Sequence, residues 1–279
     1  MKKILFVLGA TCSGKTKKAV ELCKQANGEI ISCDSRQVYK YLDIGSNKEG
    51  DLVDDGVRVI DGVYQHLTDI IEPDKTYNAV TFSQAASKKI DELYQRNKLP
   101  VICGGTGLYA GTLLYGLDEM PAANPQIRAE LKNKSALELY EQLLPIDPQA
   151  ALKHKNNPQR LMRALEINIV SGKNVGTFVK EKRARYSFEI YQTEVDREEL
   201  YKRINLRCVY MIENGMIEET KKVLEMGFSK DCSALSGIGY KLVIRFLDGE
   251  ISKETLIEEF AKETRHYAKR QITWFRNSL

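Results

Sequence analysis

At 279 residues, with 43% hydrophobic and 29% charged side chains, the chain has ordinary globular composition and enough length to bury a sizeable core. No apolar run approaches the roughly 18 residues of a membrane span, and the six scattered cysteines form no Cys-x-x-Cys pair. Membrane-embedded, zinc-ribbon and disulfide-framework classes are set aside, and with no leader pattern ahead of the first apolar run a reducing, cytoplasmic location is expected. The net charge of +4 decides little by itself.

In chain order, Ile4 to Leu8 (ILFVL) reads as a buried parallel strand. It runs into Gly9-Ala10-Thr11-Cys12-Ser13-Gly14-Lys15-Thr16, a full match to the phosphate-loop pattern G-x-x-x-x-G-K-[ST]. Ala19, Leu22, Cys23 and Ala26 recur at helical spacing behind it, so strand, turn and helix start form an anion cradle. Backbone N–H groups of the curled loop and the Lys15 ammonium suit the phosphates of a di- or triphosphate, ATP among them. The Thr16 hydroxyl is placed to hold Mg2+.

Ile30 to Cys33 is a second apolar strand, and Asp34 follows it in Cys33-Asp34-Ser35-Arg36-Gln37. The carboxyl edge of a parallel sheet is where ligands bind, so Asp34 is placed to hold a metal through water or to accept a proton from a nucleophile. Val57 to Ile60 reads as a short strand. Asn78 to Tyr94 reads as a helix with Phe82, Ala86, Ile90 and Leu93 on one face. Leu99 to Cys103 is another buried strand ending in Gly104-Gly105-Thr106-Gly107-Leu108-Tyr109, whose three glycines point to close approach of a ligand or of another backbone segment. His66 and His154 are isolated and read as core or surface residues, and Trp274 as a packing residue.

From Pro125 to about Ser187 no strand-like run occurs; Gln126 to Leu144 and Pro158 to Val170 read as helices. Phe188 to Val195 alternates as a strand that rejoins the sheet, and helices fill Arg197 to Met226, Gly239 to Leu247 and Lys253 onward. The expected fold is α/β: a phosphate-loop NTPase-like parallel sheet with helices on both faces and an inserted all-helical subdomain. The core takes residues 1–120 and 188–279, and the insertion 121–187. Between Ala151 and Ser187, nine basic residues (Lys153, Lys155, Arg160, Arg163, Lys173, Lys180, Lys182, Arg183 and Arg185) face only Glu166 and Glu181. With Lys262, Arg265, Lys269, Arg270 and Arg276 on the last helix, this footprint suits a nucleic acid. Arg203 and Arg207, four apart on a helix, could fold over a pyrophosphate, and surface ion pairs are the equal alternative.

Taken together these strings resemble the tRNA dimethylallyltransferases in their compact bacterial form. The matching residues are Gly9 to Thr16, DSRQVY from Asp34, LDIG from Leu42, GGTGLY from Gly104, NPQRLMRALE from Asn157, Gly239-Tyr240-Lys241 and TRHYAKRQITWFR from Thr264. The resemblance implies dimethylallyl diphosphate as donor, with its diphosphate in the phosphate loop, and Mg2+ as cofactor. The acceptor is the exocyclic amine of the adenosine 3′ of the anticodon in tRNA. It implies Asp34 as general base and Thr106 close to the acceptor. It also implies tRNA contacts from Asp34, Ser35, Arg36 and Gln37, from Gln159, Arg160, Leu161, Met162 and Arg163, and from Arg128. The anticodon stem-loop would be held by the insertion, and a monomer is expected. Ala10 stands where the family commonly has Pro, Gln65 where it has His, and Ser236 where some members carry Arg. A small-molecule or nucleotide kinase would use the same phosphate loop but leave the basic segments unexplained.

Overall fold

A computed structural model describes residues 2–118, 120–178 and 183–278. The expected basic residues Lys180 and Lys182, with Glu181, lie outside the described residues. The chain divides into two compact units, Met1–Gly116 with Ala184–Leu279, and Leu117–Arg183.

In chain order the larger unit runs β1 (Lys3–Gly9), α1 (Lys15–Ala26), β2 (Gly28–Ser32), β3 (Asp51–Asp54), β4 (Val57–Ile60), β5 (Val63–His66), α2 (Ala79–Gln95), β6 (Leu99–Gly104) and α3 (Gly107–Tyr115). The smaller unit holds α4 (Pro125–Leu131), α5 (Ala136–Leu143), α6 (Pro148–His154) and α7 (Pro158–Ser171). The larger unit resumes with β7 (Ser187–Thr193), α8 (Arg197–Glu213), α9 (Met216–Glu225), α10 (Ile238–Leu247) and α11 (Lys253–Ser278).

The strands form one sheet in the order β3-β4-β5-β2-β6-β1-β7. The pairs β5–β2, β2–β6, β6–β1 and β1–β7 are parallel, and β3–β4 and β4–β5 are antiparallel. The strand period of two sorts the core residues. Ile4, Phe6 and Leu8 of β1 pack with Phe82, Ala86, Ile90 and Leu93 of α2 and with Leu113 and Leu114 of α3. Leu5 and Val7 pack with Ala19, Val20, Leu22 and Cys23 of α1. Helices therefore cover both faces of a mostly parallel sheet, as the βαβ alternation requires. A further cluster joins α8, α9, α10 and α11 to Val38, Tyr39 and Leu42.

Four details differ from the sequence reading. β3 and β5 were not expected, because all four residues of β3 are exposed and an aspartate stands at each of its ends. The signal for the β4–β5 hairpin was the two-residue turn Asp61-Gly62, both at positive φ (49° and 79°). The stretch from Arg197 to Met226 is two helices, since α8 closes at its C-cap Asn214 and Gly215 at φ 110° is the N-cap of α9. Gln126 to Leu144 is likewise divided, because Ser135 forms a capping box with Glu138 and restarts the helix as α5. Residues 184–187 join the larger unit because the Arg185 N–H donates to the Leu114 carbonyl and β7 begins at Ser187. Among the described residues, no helix is long and apolar enough to cross a membrane.

Candidate active site

The loop after β1 is shaped by two left-handed positions, Cys12 (φ 61°) and Gly14 (φ 83°), the latter the N-cap of α1. Ser13 Oγ donates to the Ala10 carbonyl at 2.8 Å and lies 2.5 Å from Thr193 Oγ1, which ties the loop to β7. Lys15 Nζ donates to the Ala10 carbonyl at 2.6 Å, so the ammonium curls back over its own loop. Burial holds Lys15 below the ordinary lysine range, with nearby Asp34 pulling the other way.

After β2, Asp34 Oδ1 accepts the Arg36 N–H at 2.7 Å, and the Ser35 N–H donates to Thr106 Oγ1 at 3.1 Å. Gln37 accepts from Ser32 Oγ at 2.8 Å and donates to the Asn47 carbonyl at 3.0 Å. The Arg36 guanidinium reaches the Ser233 carbonyl at 3.1 Å and Ser236 Oγ at 3.0 Å.

The glycines after β6 serve the protein's own packing. A Cβ on Gly104 would lie 2.1 Å from the Cys33 carbonyl oxygen, on Gly105 2.2 Å from Gln271 Nε2, and on Gly107 2.2 Å from the Trp274 ring. Of the two readings left open by the sequence, another backbone segment accounts for Gly104, while at Gly105 and Gly107 the close neighbour is a side chain. Trp274 packs, as read.

These loops follow neighbouring strands β1, β6 and β2 at the carboxyl edge of the sheet and border a cavity of about 570 Å³. Thr11, Cys12, Gly14, Lys15 and Thr16 line it together with Asp34, Ser35, Arg36 and Gln37. Gly9, Ala10 and Ser13 are not among the lining residues; Ala10 and Ser13 are buried in the loop's inner turn. Thr106 stands behind the lining, with its hydroxyl holding Ser35. The arginine pair separates. Arg207 lines the cavity, hydrogen-bonds the Thr11 hydroxyl and has a buried Nε with no partner among the described residues. Arg203 does not line it; it is exposed and pairs with Glu199 at 2.7 Å, the i,i+4 surface pair that was its alternative.

Three residues of the site were not singled out from sequence. Gln271 on α11 bridges two loops. Tyr267, one turn earlier, lines the cavity; burial and the neighbouring Asp34 push its phenol up to about 12. Glu219 on α9 accepts the N–H groups of Asp43 (2.6 Å), Ile44 (2.7 Å) and Gly45 (3.1 Å) and the Tyr240 hydroxyl (2.8 Å). It fixes the segment whose Gly45, Ser46 and Asn47 form another wall. His66 is a core residue: its Nε2 lies 2.7 Å from Glu29, which also pairs with Arg96 at 2.6 Å.

In the smaller unit, two expected tRNA contacts have an internal partner. Glu166 is fully buried and takes Arg128 at 2.8 and 3.0 Å, Arg163 at 2.5 Å and the Asn124 N–H at 2.7 Å. Arg163 also donates to the Pro121 carbonyl at 2.6 Å. Leu161 is fully buried in the unit's core, with Met162 packed against it, which leaves Gln159 and Arg160 as the exposed residues between Gln159 and Arg163. Burial alone would raise the Glu166 pKa, but the two guanidiniums and the backbone N–H hold it at about 2, against 4.5 ordinarily. A depressed carboxylate stabilises the fold fully above its unfolded value, and that contribution disappears as pH falls from about 4.5 towards 2. Glu166→Gln is expected to lower the unfolding free energy at pH 7 by roughly 2–4 kcal/mol. Urea denaturation across pH checks it: this acid-sensitive component should be present in the native chain and missing from the variant.

Residues 37–278 match the family model of the IPP transferases. The chain belongs to the IPP transferase family. A tRNA dimethylallyltransferase of Endomicrobium trichonymphae is 61% identical over 98% of this chain and 91% of the relative. The full-length tRNA isopentenylpyrophosphate transferase of Bacillus halodurans superposes with a TM-score of 0.72 at 36% identity, over 100% of this chain and 88% of the other. A eukaryotic dimethylallyltransferase described as acting on tRNA gives a TM-score of 0.80 at 27% identity, over 98% and 70%. The phosphate loop precedes the span matched by the IPP transferase model but lies within these near-full-length likenesses.

Proposed function

We propose that the chain transfers the dimethylallyl group of dimethylallyl diphosphate to the exocyclic amine of the adenosine 3′ of the anticodon in tRNA, releasing diphosphate. The observation that carries this is a phosphate loop and a carboxylate, Asp34, lining one cavity in a chain of the IPP transferase family. The relatives' names supply the substrates: tRNA and a dimethylallyl donor.

In this reading the amine nitrogen attacks the allylic carbon as that carbon's bond to the diphosphate oxygen breaks. The amine's lone pair is delocalised into the adenine ring, so it gains from losing its proton to Asp34 as the new N–C bond forms. One Asp34 oxygen is fixed by the Arg36 N–H, and the other takes the proton. The departing diphosphate is met by the loop's backbone N–H groups, by Lys15 and by Arg207. Free loop bases suit side-chain readout by Ser35, Arg36 and Gln37, since single-stranded RNA exposes its base edges. On the smaller unit, exposed Gln159 and Arg160 suit phosphate contacts.

A Mg2+ ion fits the donor set present. Thr16 and Asp34 line the same cavity, whereas no group of three acidic, His or Cys side chains among the described residues could cage a metal. Such a sparse set suits an ion held by the Thr16 hydroxyl, water and the donor's phosphates, where it would neutralise the leaving group.

Arg160→Ala is expected to weaken tRNA binding by about 3–10-fold and to reduce the slope of log affinity against log salt by about 0.7–0.9. Filter binding at several salt concentrations measures both, and an unchanged slope would move the contact elsewhere. The reading as a whole is tested by incubation with unmodified tRNA and labelled dimethylallyl diphosphate, with ATP and free AMP as controls. Label in tRNA is expected. Label confined to AMP, or phosphoryl transfer from ATP, contradicts it.

A further inference from the structure

Gln271 is 6% exposed on α11. Its Oε1 accepts the Thr11 N–H at 2.8 Å, and its Nε2 donates to the Gly105 carbonyl at 2.8 Å. One amide thus spends its acceptor on the phosphate loop and its donor on the turn after β6, and only this orientation of the amide satisfies both partners. Gly105 is moulded to it, since a Cβ there would lie 2.2 Å from Nε2. The bond to the turn leads on to the acid: Thr106, next in sequence, holds the Ser35 N–H, and Ser35 follows Asp34. The bond to the loop leads to the donor site, because Thr11 lines the cavity, is also held by Arg207 and is followed by the lining residues Cys12, Gly14, Lys15 and Thr16. Tyr267 and Trp274 lie one turn to either side, with the Trp274 ring against Gly107. Of these three, Gln271 is the residue that also grips the phosphate loop.

Transfer between a bound diphosphate ester and an amine requires the reacting atoms to meet at about 3–3.5 Å, and displacement by about 1 Å costs on the order of 100-fold in rate. We infer that Gln271 is a positioning residue that sets the spacing between the donor loop and the Asp34–Thr106 side of the cavity. It touches neither substrate. The inference rests on the prenyl-transfer reading and adds to it a residue that acts through two backbone contacts.

Two variants separate its bonds. Gln271→Glu keeps an acceptor for the Thr11 N–H and loses the donor to Gly105; Gln271→Leu loses both. Rapid-quench single turnovers with saturating tRNA and labelled dimethylallyl diphosphate, together with donor and tRNA affinities, supply the readout. For Gln271→Glu, donor affinity should stay within about twofold of the native value while the single-turnover rate falls by about 100-fold. For Gln271→Leu, the rate should fall at least as far and donor affinity should fall as well, with tRNA affinity retained. A purely structural role would instead lower rate, donor affinity and tRNA affinity together, in proportion to lost folded protein; that pattern overturns the inference. Native-like rates in a folded Gln271→Glu chain overturn it too, and this variant carries the test if the leucine variant does not fold. Absence of transfer by the native chain would instead defeat the prenyl-transfer reading itself.

Discussion

Asp34→Asn is expected to cut the single-turnover rate of prenyl transfer by about 10²–10⁴-fold, the usual contribution of a positioned general base. The asparagine keeps an oxygen where Oδ1 now accepts the Arg36 N–H, so the turn at the end of β2 survives and only the proton acceptor is lost. Affinity for tRNA should stay within about threefold, since loop recognition draws on Ser35, Arg36 and Gln37 and on residues elsewhere. Asp34→Ala removes the turn acceptor as well, and comparison of the two variants separates proton transfer from loop geometry. An unchanged single-turnover rate in the asparagine variant would remove Asp34 as base.

Lys15→Ala is expected to weaken donor binding and slow transfer by a combined factor of about 10²–10³, the cost of losing one preorganised group at a developing anion. Lys15 Nζ lies 2.6 Å from the Ala10 carbonyl at the cavity wall, and its other N–H donors suit the diphosphate. Arg207→Ala should act in the same direction, because Arg207 lines the cavity and grips Thr11. Arg203→Ala is the internal control. Its exposed i,i+4 pair with Glu199 is worth only about 0.3–0.5 kcal/mol, and donor affinity should not move. Titration of donor binding, followed by single turnovers, measures all three; equal effects for Arg203 and Arg207 would refute the separation of the pair.

The elements that could be read from sequence are those whose cause is local. A phosphate loop needs two glycines, a lysine and a hydroxyl within eight positions, and the apolar strands and the α2 face declare themselves by period. Sequence says less about which of several possible partners a side chain takes. Arg203 and Arg207 share a helical period, yet only the second reaches the cavity, because the first lies one turn nearer the start of α8 and finds Glu199. The resemblance implies tRNA contacts for Arg128 and Arg163, and in the structure one buried acid, 38 and 3 positions away, takes both guanidiniums. Gln271 and Glu219 gave no sequence signal, since each works by pairing with backbone groups more than 160 residues distant. The glycines of GGTGLY did signal close approach, but their spacing could not say that a strand end, Gln271 and Trp274 are what approaches.

The central claim is that one cavity joins a prenyl donor to a tRNA adenosine. The most direct measurement is mass spectrometry of nuclease digests from unmodified tRNA treated with the chain and dimethylallyl diphosphate. The expected result is one dimethylallyl group on the exocyclic nitrogen of the adenosine 3′ of the anticodon, with no such product from Asp34→Asn in the same time. Unmodified adenosine at that position, or a product that forms equally well without Asp34, would contradict it.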